Sequence, residues 1–200
     1  MSAARRINAD RCCGLIIDLQ SFFLAQINRR HAAHVRANTG HLLRLLGYFR
    51  IPVVATLERP VEVKGTLPKD VARHLGASAQ IFEKDFFDLC KEKTIADHLT
   101  RLKKRQMIVA GCETDVCVLQ SCLGLLSLGY EVYVIEELIF SSSRNVEAAV
   151  ARLKAAGVVF ATYKTLYYEL FEAVDGEHDL DKRFAALGPF PDKLPDSAVQ

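Results

Sequence analysis

The sequence predicts an α/β fold: a three-layer, Rossmann-like domain in which helices cover both faces of a six-stranded parallel sheet. Two observations support this prediction. Short apolar segments alternate along the chain with longer segments in which apolar residues recur at helical spacing. Several of the short segments are apolar throughout, which is typical of parallel strands buried on both faces. With right-handed crossovers between strands, we expect the strand order 3-2-1-4-5-6.

The predicted elements follow from these patterns in chain order. The first strand, residues 12–18, is apolar up to a terminal aspartate, and a helix over residues 28–49 follows it. The remaining predicted strands are residues 51–57, 79–82, 106–110, 131–135 and 158–162. The remaining predicted helices are residues 91–104, a segment capped by Thr114 or Asp115 that ends at Gly129, residues 144–156 and residues 167–173.

Glycines, prolines and serines mark where several elements start and end. Residues 58–79 contain two prolines and two glycines and show little periodicity, so they are predicted to form a long loop. Long loops in compact domains tend to be functional. The serines at 141–143 are expected to cap the helix over residues 144–156, which Gly157 should end.

The composition is that of a single globular domain. Of the 200 residues, 50% are hydrophobic and 25% are charged, and the formal net charge is +2. This charge is too small to predict a nucleic-acid partner, and no apolar run predicts a transmembrane helix or a secretory signal. Six cysteines in a chain of this size favour a reduced compartment, so we expect a cytoplasmic protein. We assign one domain to residues 1–200, with its core at 11–172 and a C-terminal tail at 176–200.

Two reactive side chains meet at the predicted switch point of the sheet, where open parallel sheets bind their ligands. Asp18 ends the first strand and Cys117 follows the fourth, so the strand order brings them together. Cys117 is predicted to lie in the first turn of a helix, where the helix dipole favours a thiolate. A carboxylate beside such a thiol is suited to general-base catalysis. The alternatives are that Asp18 caps a helix and that Cys117 is a small buried hydrophobe.

Lys84 is the third candidate, because it follows the predicted third strand and lies among phenylalanines. The alternative is a solvated surface lysine. The turn after the first strand, residues 18–23, contains no glycine, and the chain has no Walker loop. Neither a dinucleotide nor ATP is therefore expected to bind in the usual way, and we expect no cofactor.

Three motifs occur together in an order that matches one known family. Residues 18–23, Asp-Leu-Gln-Ser-Phe-Phe, fit an Asp-x-Gln-x-x-Phe pattern. Residues 111–118, Gly-Cys-Glu-Thr-Asp-Val-Cys-Val, are close to a Gly-x-x-Thr-Asp-x-Cys-Val signature, and Lys84 lies between these two motifs. Over about residues 11–172 the chain resembles the isochorismatase-like cysteine hydrolases, which include nicotinamidases and the carbamoylsarcosine and ureidoacrylate amidohydrolases.

This resemblance implies a catalytic triad of Asp18, Lys84 and Cys117. Cys117 would attack a carbonyl carbon, Asp18 would take the thiol proton, and Lys84 would hold the aspartate and stabilise the thiolate. The resemblance also implies a cis peptide bond between Cys112 and Glu113. The backbone N–H groups of Glu113 and Cys117 would then face the oxyanion.

The chain departs from two branches of this family. Nicotinamidases carry an Asp-x-His-x-His metal site after the second strand, whereas residues 56–60 here are Thr-Leu-Glu-Arg-Pro. We therefore expect no metal ion, and nicotinamidase activity is disfavoured. True isochorismatases lack the cysteine and hydrolyse a vinyl ether, so the presence of Cys117 argues against that reaction.

From these motifs we predict a metal-independent cysteine hydrolase that cleaves a C–N bond in a small amide, ureide or carbamoyl compound. Its substrate pocket is expected to include Gln20, Phe22, Phe23 and Glu58, although the two phenylalanines suit the core equally well. The alternative is a catalytically silent family member that acts as a binding or scaffolding subunit. We expect neither a membrane nor a nucleic-acid partner. The apolar content, the long loop and the tail favour a homo-oligomer (dimer, tetramer or higher).

Overall fold

A computed structural model describes residues 6–173, 182–183 and 185–188. The described residues form a six-stranded sheet in the order β3-β2-β1-β4-β5-β6, and every neighbouring pair is parallel. The strands are β1 (Cys12–Ile17), β2 (Val53–Glu58), β3 (Gln80–Lys84), β4 (Gln106–Cys112), β5 (Glu131–Phe140) and β6 (Val159–Ala161). The predicted fold class and strand order are confirmed.

Helices pack on both faces of this sheet. They are α1 (Ser21–Leu24), α2 (Arg29–Tyr48), α3 (Val61–Lys64), α4 (Lys69–Ala72), α5 (Lys93–Leu102), α6 (Leu119–Ser127), α7 (Glu147–Ala156) and α8 (Tyr163–Phe171). A π-helical turn, Thr114–Val118, leads directly into α6. The long helix α2 begins close to its predicted start, because the side chain of Asn28 accepts a hydrogen bond from the backbone N–H of His31.

The two faces of the sheet carry separate apolar layers. Cys12 and Cys13 are adjacent in β1, yet they point into opposite layers because successive side chains of a strand alternate between faces. Helices α2 and α8 cover one layer, and α5, α6 and α7 cover the other. This double burial explains why β1, β2 and β4 are buried at every position.

Strand β5 is longer than the sequence pattern predicts. The apolar run stops at Ile135, where two glutamates follow, but the strand continues to Phe140. Pairing with β4 shifts register on the way: Val109 is opposite Val134, whereas Gly111 is opposite Ile139. The irregularity leaves Glu136 exposed and lets the strand resume beyond it.

Two further predictions about local structure are wrong. The predicted loop at 58–79 contains the short helices α3 and α4, which the flanking prolines and glycines obscured. Helix α7 begins at Glu147 with no side-chain cap, so the serines at 141–143 do not cap it. Gly157 does end the helix in a left-handed conformation, as predicted.

The C-terminal tail predicted at 176–200 lies outside the described residues except for 182–183 and 185–188. Within that part, Leu187 is buried, and the Arg183 guanidinium lies 3.4 Å from the centre of the Phe171 ring. Among the residues described, no helix has both the length and the apolar character needed to cross a membrane.

Gly111 marks a close approach of strands β4 and β1. Its φ is +121°, and a Cβ atom added there would lie 1.9 Å from the carbonyl oxygen of Ile17. Both the conformation and the contact require glycine at this position. The end of β4 can thus come next to the end of β1, which is where Asp18 begins the following turn.

We expect Gly111→Ala to lower the free energy of unfolding by about 3 kcal/mol or more, because it adds a backbone clash to a strained φ. Urea titration followed by circular dichroism measures this change. Gly47→Ala is the matched control: it lies in α2 with open space around its Cβ position, and we expect a gain of up to about 1 kcal/mol. Equal stability of the two variants would contradict the close approach described above.

Candidate active site

Four neighbouring strands each deliver one polar side chain to the same edge of the sheet. Lys84 is the last residue of β3, Glu58 is the last residue of β2, Asp18 follows β1, and Cys117 lies in the turn after β4. Asp18 and Lys84 are fully buried, and Cys117 is 2% exposed. Ionisable groups are rarely buried unless they are paired, so we interpret this cluster as a specific site and not as a solvent-exposed end of the sheet.

Asp18 is held by its backbone and by one neighbour on β2. It has a positive φ of 49°, its N–H donates to the carbonyl of Thr56 at 3.1 Å, and its Oδ1 accepts from Thr56 Oγ1 at 2.8 Å. Its Oδ2 lies 2.7 Å from Lys84 Nζ and forms an ion pair with it. Thr56 and Lys84 thus each hold one oxygen of the carboxylate.

Lys84 reaches across the sheet from β3 to the end of β1. Its Nζ lies 2.7 Å from Asp18 Oδ2, 3.5 Å from Cys117 Sγ and 3.8 Å from Glu58 Oε2. The sequence placed Lys84 after its strand, but it is the last residue of β3, and its burial rules out the solvated alternative.

Cys117 lies in a π-helical turn. Such turns are rare in proteins, but those that occur are often found at functional sites. The residue before the turn, Glu113, has an extended backbone, and its carbonyl accepts from the N–H groups of Val116 and Val118 at 3.1 and 3.0 Å. Neither Thr114 nor Asp115 caps the turn, so the predicted cap is wrong. The peptide bond between Cys112 and Glu113 is cis.

Two serines beyond β5 hold this turn in place. Ser141 Oγ donates to Asp115 Oδ1 at 2.6 Å, and the backbone N–H of Ser142 donates to Glu113 Oε1 at 3.0 Å. The hydroxyl of Ser142 also donates to the same carboxylate oxygen. The extension of β5 beyond residue 135 brings these serines to the turn. Because the predicted strand ended at residue 135, the sequence did not predict their contact with the turn.

The surroundings of Cys117 favour the protonated thiol over the thiolate. Burial raises its pKa first, the nearby charge of Asp18 raises it further, and Glu58 adds to both effects, whereas Lys84 opposes them. Burial and the carboxylates from other strands therefore oppose the thiolate that the helix dipole was expected to favour.

Asp18 and Lys84 are perturbed in ways that suit proton transfer. Burial raises the pKa of Asp18, and the charge and hydrogen bonding of Lys84 only partly offset this. Burial alone would lower the pKa of Lys84, but the negative charge of Asp18 outweighs it and the pKa is raised. Lys84 therefore keeps its proton, while Asp18 is a stronger base than an exposed aspartate.

Glu58, which was expected only as a pocket residue, contacts the thiol of Cys117 directly. Its Oε2 accepts a hydrogen bond from the Cys117 thiol at 3.0 Å, and its Oε1 is paired with Lys64 of α3. Lys64 also donates to the carbonyl of Arg59 at 2.8 Å. Sequence reasoning missed Lys64 because it lies in a segment without periodicity.

The other expected pocket residues have different surroundings. Gln20 is fully buried, and its amide is engaged by backbone: it accepts from Glu58 N–H at 2.8 Å and donates to the carbonyls of Glu58 and Gly65. It therefore holds the loop after β2 instead of presenting its amide to a ligand. Phe23 is buried against the core, whereas Phe22 is 43% exposed and packs edge-on against Phe23.

One group of side chains in the described part of the chain has the donor atoms and spacing for a metal ion. Asp18, Glu58 and Cys117 each offer one atom, and these atoms lie within 4.8 Å of one another. The ammonium of Lys84 already lies within 4 Å of an atom of each member. The chain thus supplies its own cation between these groups, and we assign no metal to them. The expectation of metal independence stays a prediction.

Comparison with known proteins gives a consistent family match. Residues 12–165 match the family model described as the isochorismatase domain. An isochorismatase family protein 1B from Dictyostelium discoideum is 25% identical over 201 residues, covering 94% of each chain.

Two solved structures share this fold at low sequence identity. YcaC from Pseudomonas aeruginosa, solved with hexane-2,5-diol and covalent acrylamide, has a TM-score of 0.84 and 23% identity, over 94% of this chain and 93% of that one. The MAR1 ribonuclease from Caenorhabditis elegans has a TM-score of 0.80 and 24% identity, over 96% and 98%. At these identities the structures establish the fold alone.

We expect Lys84→Met to destabilise the protein by about 3–5 kcal/mol near neutral pH, because Asp18 would be buried without a counter-charge. The folded protein would then bind a proton at Asp18 that the unfolded chain releases near pH 4. Stability of the variant should therefore fall as pH rises from about 4 through the raised pKa of the folded state. Urea unfolding at about pH 5 and about pH 8 measures the difference.

The double variant Asp18→Asn/Lys84→Met is the control for this prediction. It removes the buried charge altogether, so it should recover most of the lost stability and lose the pH dependence. A single variant that is equally destabilised at both pH values would show that Lys84 stabilises the fold by packing and not by charge.

Proposed function

Because the chain belongs to the isochorismatase family, whose members are hydrolases, we propose that it is a metal-independent cysteine hydrolase. The proposed reaction cleaves a C–N bond in a small amide, ureide or carbamoyl substrate through a thioester. The observation that carries this proposal is the buried contact of three groups. Lys84 Nζ lies 2.7 Å from Asp18 Oδ2 and 3.5 Å from Cys117 Sγ.

In the first step Cys117 forms a bond to the carbonyl carbon while its thiol proton passes to Asp18. The raised pKa of Asp18 suits it to accept this proton, and a buried thiol of raised pKa needs such a base at the moment of attack. The backbone N–H groups of Glu113 and Cys117 are proposed to donate to the oxyanion.

In the second step the tetrahedral intermediate collapses and the C–N bond breaks. The amine takes the proton from Asp18 as it leaves, and the acyl group remains on Cys117 as a thioester. Asp18 then accepts a proton from water, the hydroxide attacks the thioester, and the acid departs as the proton returns to sulfur. Lys84 stays charged throughout and offsets the negative charge that moves between Asp18 and Cys117.

The enclosure of the site supports a small substrate. The three side chains proposed to act on it are 0–2% exposed, so a polymer would have to enter a closed interior. A ribonuclease activity, which the name of the Caenorhabditis elegans neighbour raises, is for this reason not proposed here. The contact of Lys84 with both partners also supports catalysis over the alternative of a silent binding subunit.

We further propose that the chain forms a homo-oligomer. Five large apolar side chains in or just after β3 and in α1 and α3 are exposed: Phe22, Val63, Ile81, Phe86 and Phe87. Apolar exposure of this kind on neighbouring elements is typical of protein interfaces. The edge strand β3 is exposed at three of its five positions, which a partner subunit would cover.

A cytoplasmic location is proposed on the basis of the cysteines. All six are free, and five of them are buried. Disulfides form and persist in oxidising compartments, so a chain that keeps six thiols is suited to a reducing one.

We expect Cys117→Ala and Asp18→Asn each to reduce turnover by at least about a thousandfold, because each removes a group that the acyl transfer requires. The measurement is ammonia released from a panel of small amides, ureides and carbamoyl compounds. Circular dichroism should show both variants folded. Cys122→Ala, which removes a buried thiol outside the site, is the matched control and should retain activity. Turnover that survives in Cys117→Ala would refute the proposal, whereas wild-type protein that releases no ammonia from any compound of the panel would favour the silent alternative.

A further inference from the structure

Glu58 is an anionic group placed against the proposed nucleophile. Its Oε2 accepts the thiol hydrogen bond of Cys117 at 3.0 Å and lies 3.8 Å from Lys84 Nζ. A second carboxylate so close to sulfur opposes formation of a thiolate, as the raised pKa of Cys117 reflects. The triad chemistry proposed above gives no role to this residue.

The backbone around Glu58 is fixed by an unusual set of contacts. The side-chain amide of Gln20 binds both the N–H and the carbonyl of Glu58, and it also binds the carbonyl of Gly65. One amide thus closes the two ends of the segment that contains α3. From within this segment, Lys64 turns back to the Glu58 carboxylate. Glu58 is consequently held in place from its main chain and from its side chain.

The two carboxylates beside the thiol are tuned in opposite directions. Burial raises the pKa of Asp18, whereas for Glu58 the effect of burial is outweighed by hydrogen bonds from Lys64 and Cys117 and by the charge of Lys84, so the pKa is lowered. When two titratable groups differ in this way, they serve different roles. Asp18 is suited to exchange a proton, and Glu58 is suited to remain an anion that accepts hydrogen bonds.

We propose that Glu58 determines specificity by accepting a hydrogen bond from an N–H group attached to the carbonyl that Cys117 attacks. The thiol S–H donates to this acceptor in the structure, and the substrate N–H replaces it on binding. The site therefore selects primary amides, ureides and carbamoyl groups over esters and ketones of the same shape. This inference rests on the proposed hydrolase function.

The position of Glu58 agrees with this role. An atom 3.0 Å from sulfur lies within hydrogen-bond reach of a substituent on a carbonyl carbon bonded to that sulfur. Its partner Lys64 is mostly buried and keeps the carboxylate ionised, so the acceptor is charged. Hydrogen bonds to charged groups contribute about 1.5–3 kcal/mol, which corresponds to a preference of about tenfold to a hundredfold.

The test compares two alkylating reagents of nearly the same shape, 2-chloroacetamide and chloroacetone, which differ by NH₂ in place of CH₃. Each forms a bond from Cys117 sulfur to its CH₂ carbon as chloride leaves, and the thiol proton passes to the base. The NH₂ group then lies one carbon farther from sulfur than in the proposed substrate, still within hydrogen-bond reach of an acceptor beside that sulfur. Rates are followed by intact mass, the modified residue is located by peptide mapping, and each rate is divided by that of free cysteine. We expect the wild-type protein to favour the amide by about tenfold or more after this correction.

Glu58→Gln and Glu58→Ala should bring this preference down by about tenfold, even if both absolute rates rise because a negative charge near sulfur has been removed. Glu83→Gln is the matched control, since Glu83 is exposed on β3 and paired with Arg59, and it should keep the wild-type preference. Alkylation of Cys117 with the same preference in all variants would overturn this inference and leave the triad proposal standing. No adduct on Cys117 with either reagent would overturn both.

Discussion

The ion pair between Lys84 and Asp18 is the interaction on which the rest of the site depends. It joins β3 to β1 across the intervening strand β2, so only a long side chain directed along the edge of the sheet can make it. Taking both charges out of water costs free energy, and the pair is tolerated only because the attraction between the two opposite charges offsets that cost. That requirement fixes Asp18 beneath the turn that carries Cys117, and it accounts for a lysine with no exposed surface.

The buried thiol of Cys117 lies beside two carboxylates whose pKa values are shifted in opposite directions: that of Asp18 is raised and that of Glu58 is lowered. A protonated thiol is protected from indiscriminate oxidation and alkylation, since the thiolate is the reactive form. In the proposed mechanism, deprotonation is coupled to the arrival of a substrate, because Asp18 takes the thiol proton and passes it to the departing amine. The raised pKa of Cys117 thus keeps the thiol protonated until a base acts on it. The lowered pKa of Glu58 keeps that carboxylate ionised, and its charge contributes to the raised pKa of the thiol.

Much of the fold, and the proximity of Asp18, Lys84 and Cys117, could be predicted from the sequence. The strand order follows from apolar runs, because strands buried on both faces have a distinctive pattern, and the switch point then brings Asp18 and Cys117 together. The protonation of Cys117 could not be predicted, because a local helix-dipole argument is blind to Glu58, which is 59 residues away in sequence. The hydrogen bonds of Gln20 to Glu58 and Gly65, and the ion pair of Lys64 with Glu58, were not predicted for the same reason. They depend on contacts between segments and not on any pattern within one segment.

The amide of Gln20 has a consequence for how such a site changes over time. By binding Glu58 and Gly65 together, it seals the base of a small loop and anchors that base to the turn that begins at Asp18. The hydrogen bonds of Gln20 reach only the two ends of this loop, so they do not depend on the identity of the six residues between Glu58 and Gly65. We therefore expect these six residues to tolerate changes in sequence better than the buried cluster of Asp18, Lys84 and Cys117 does.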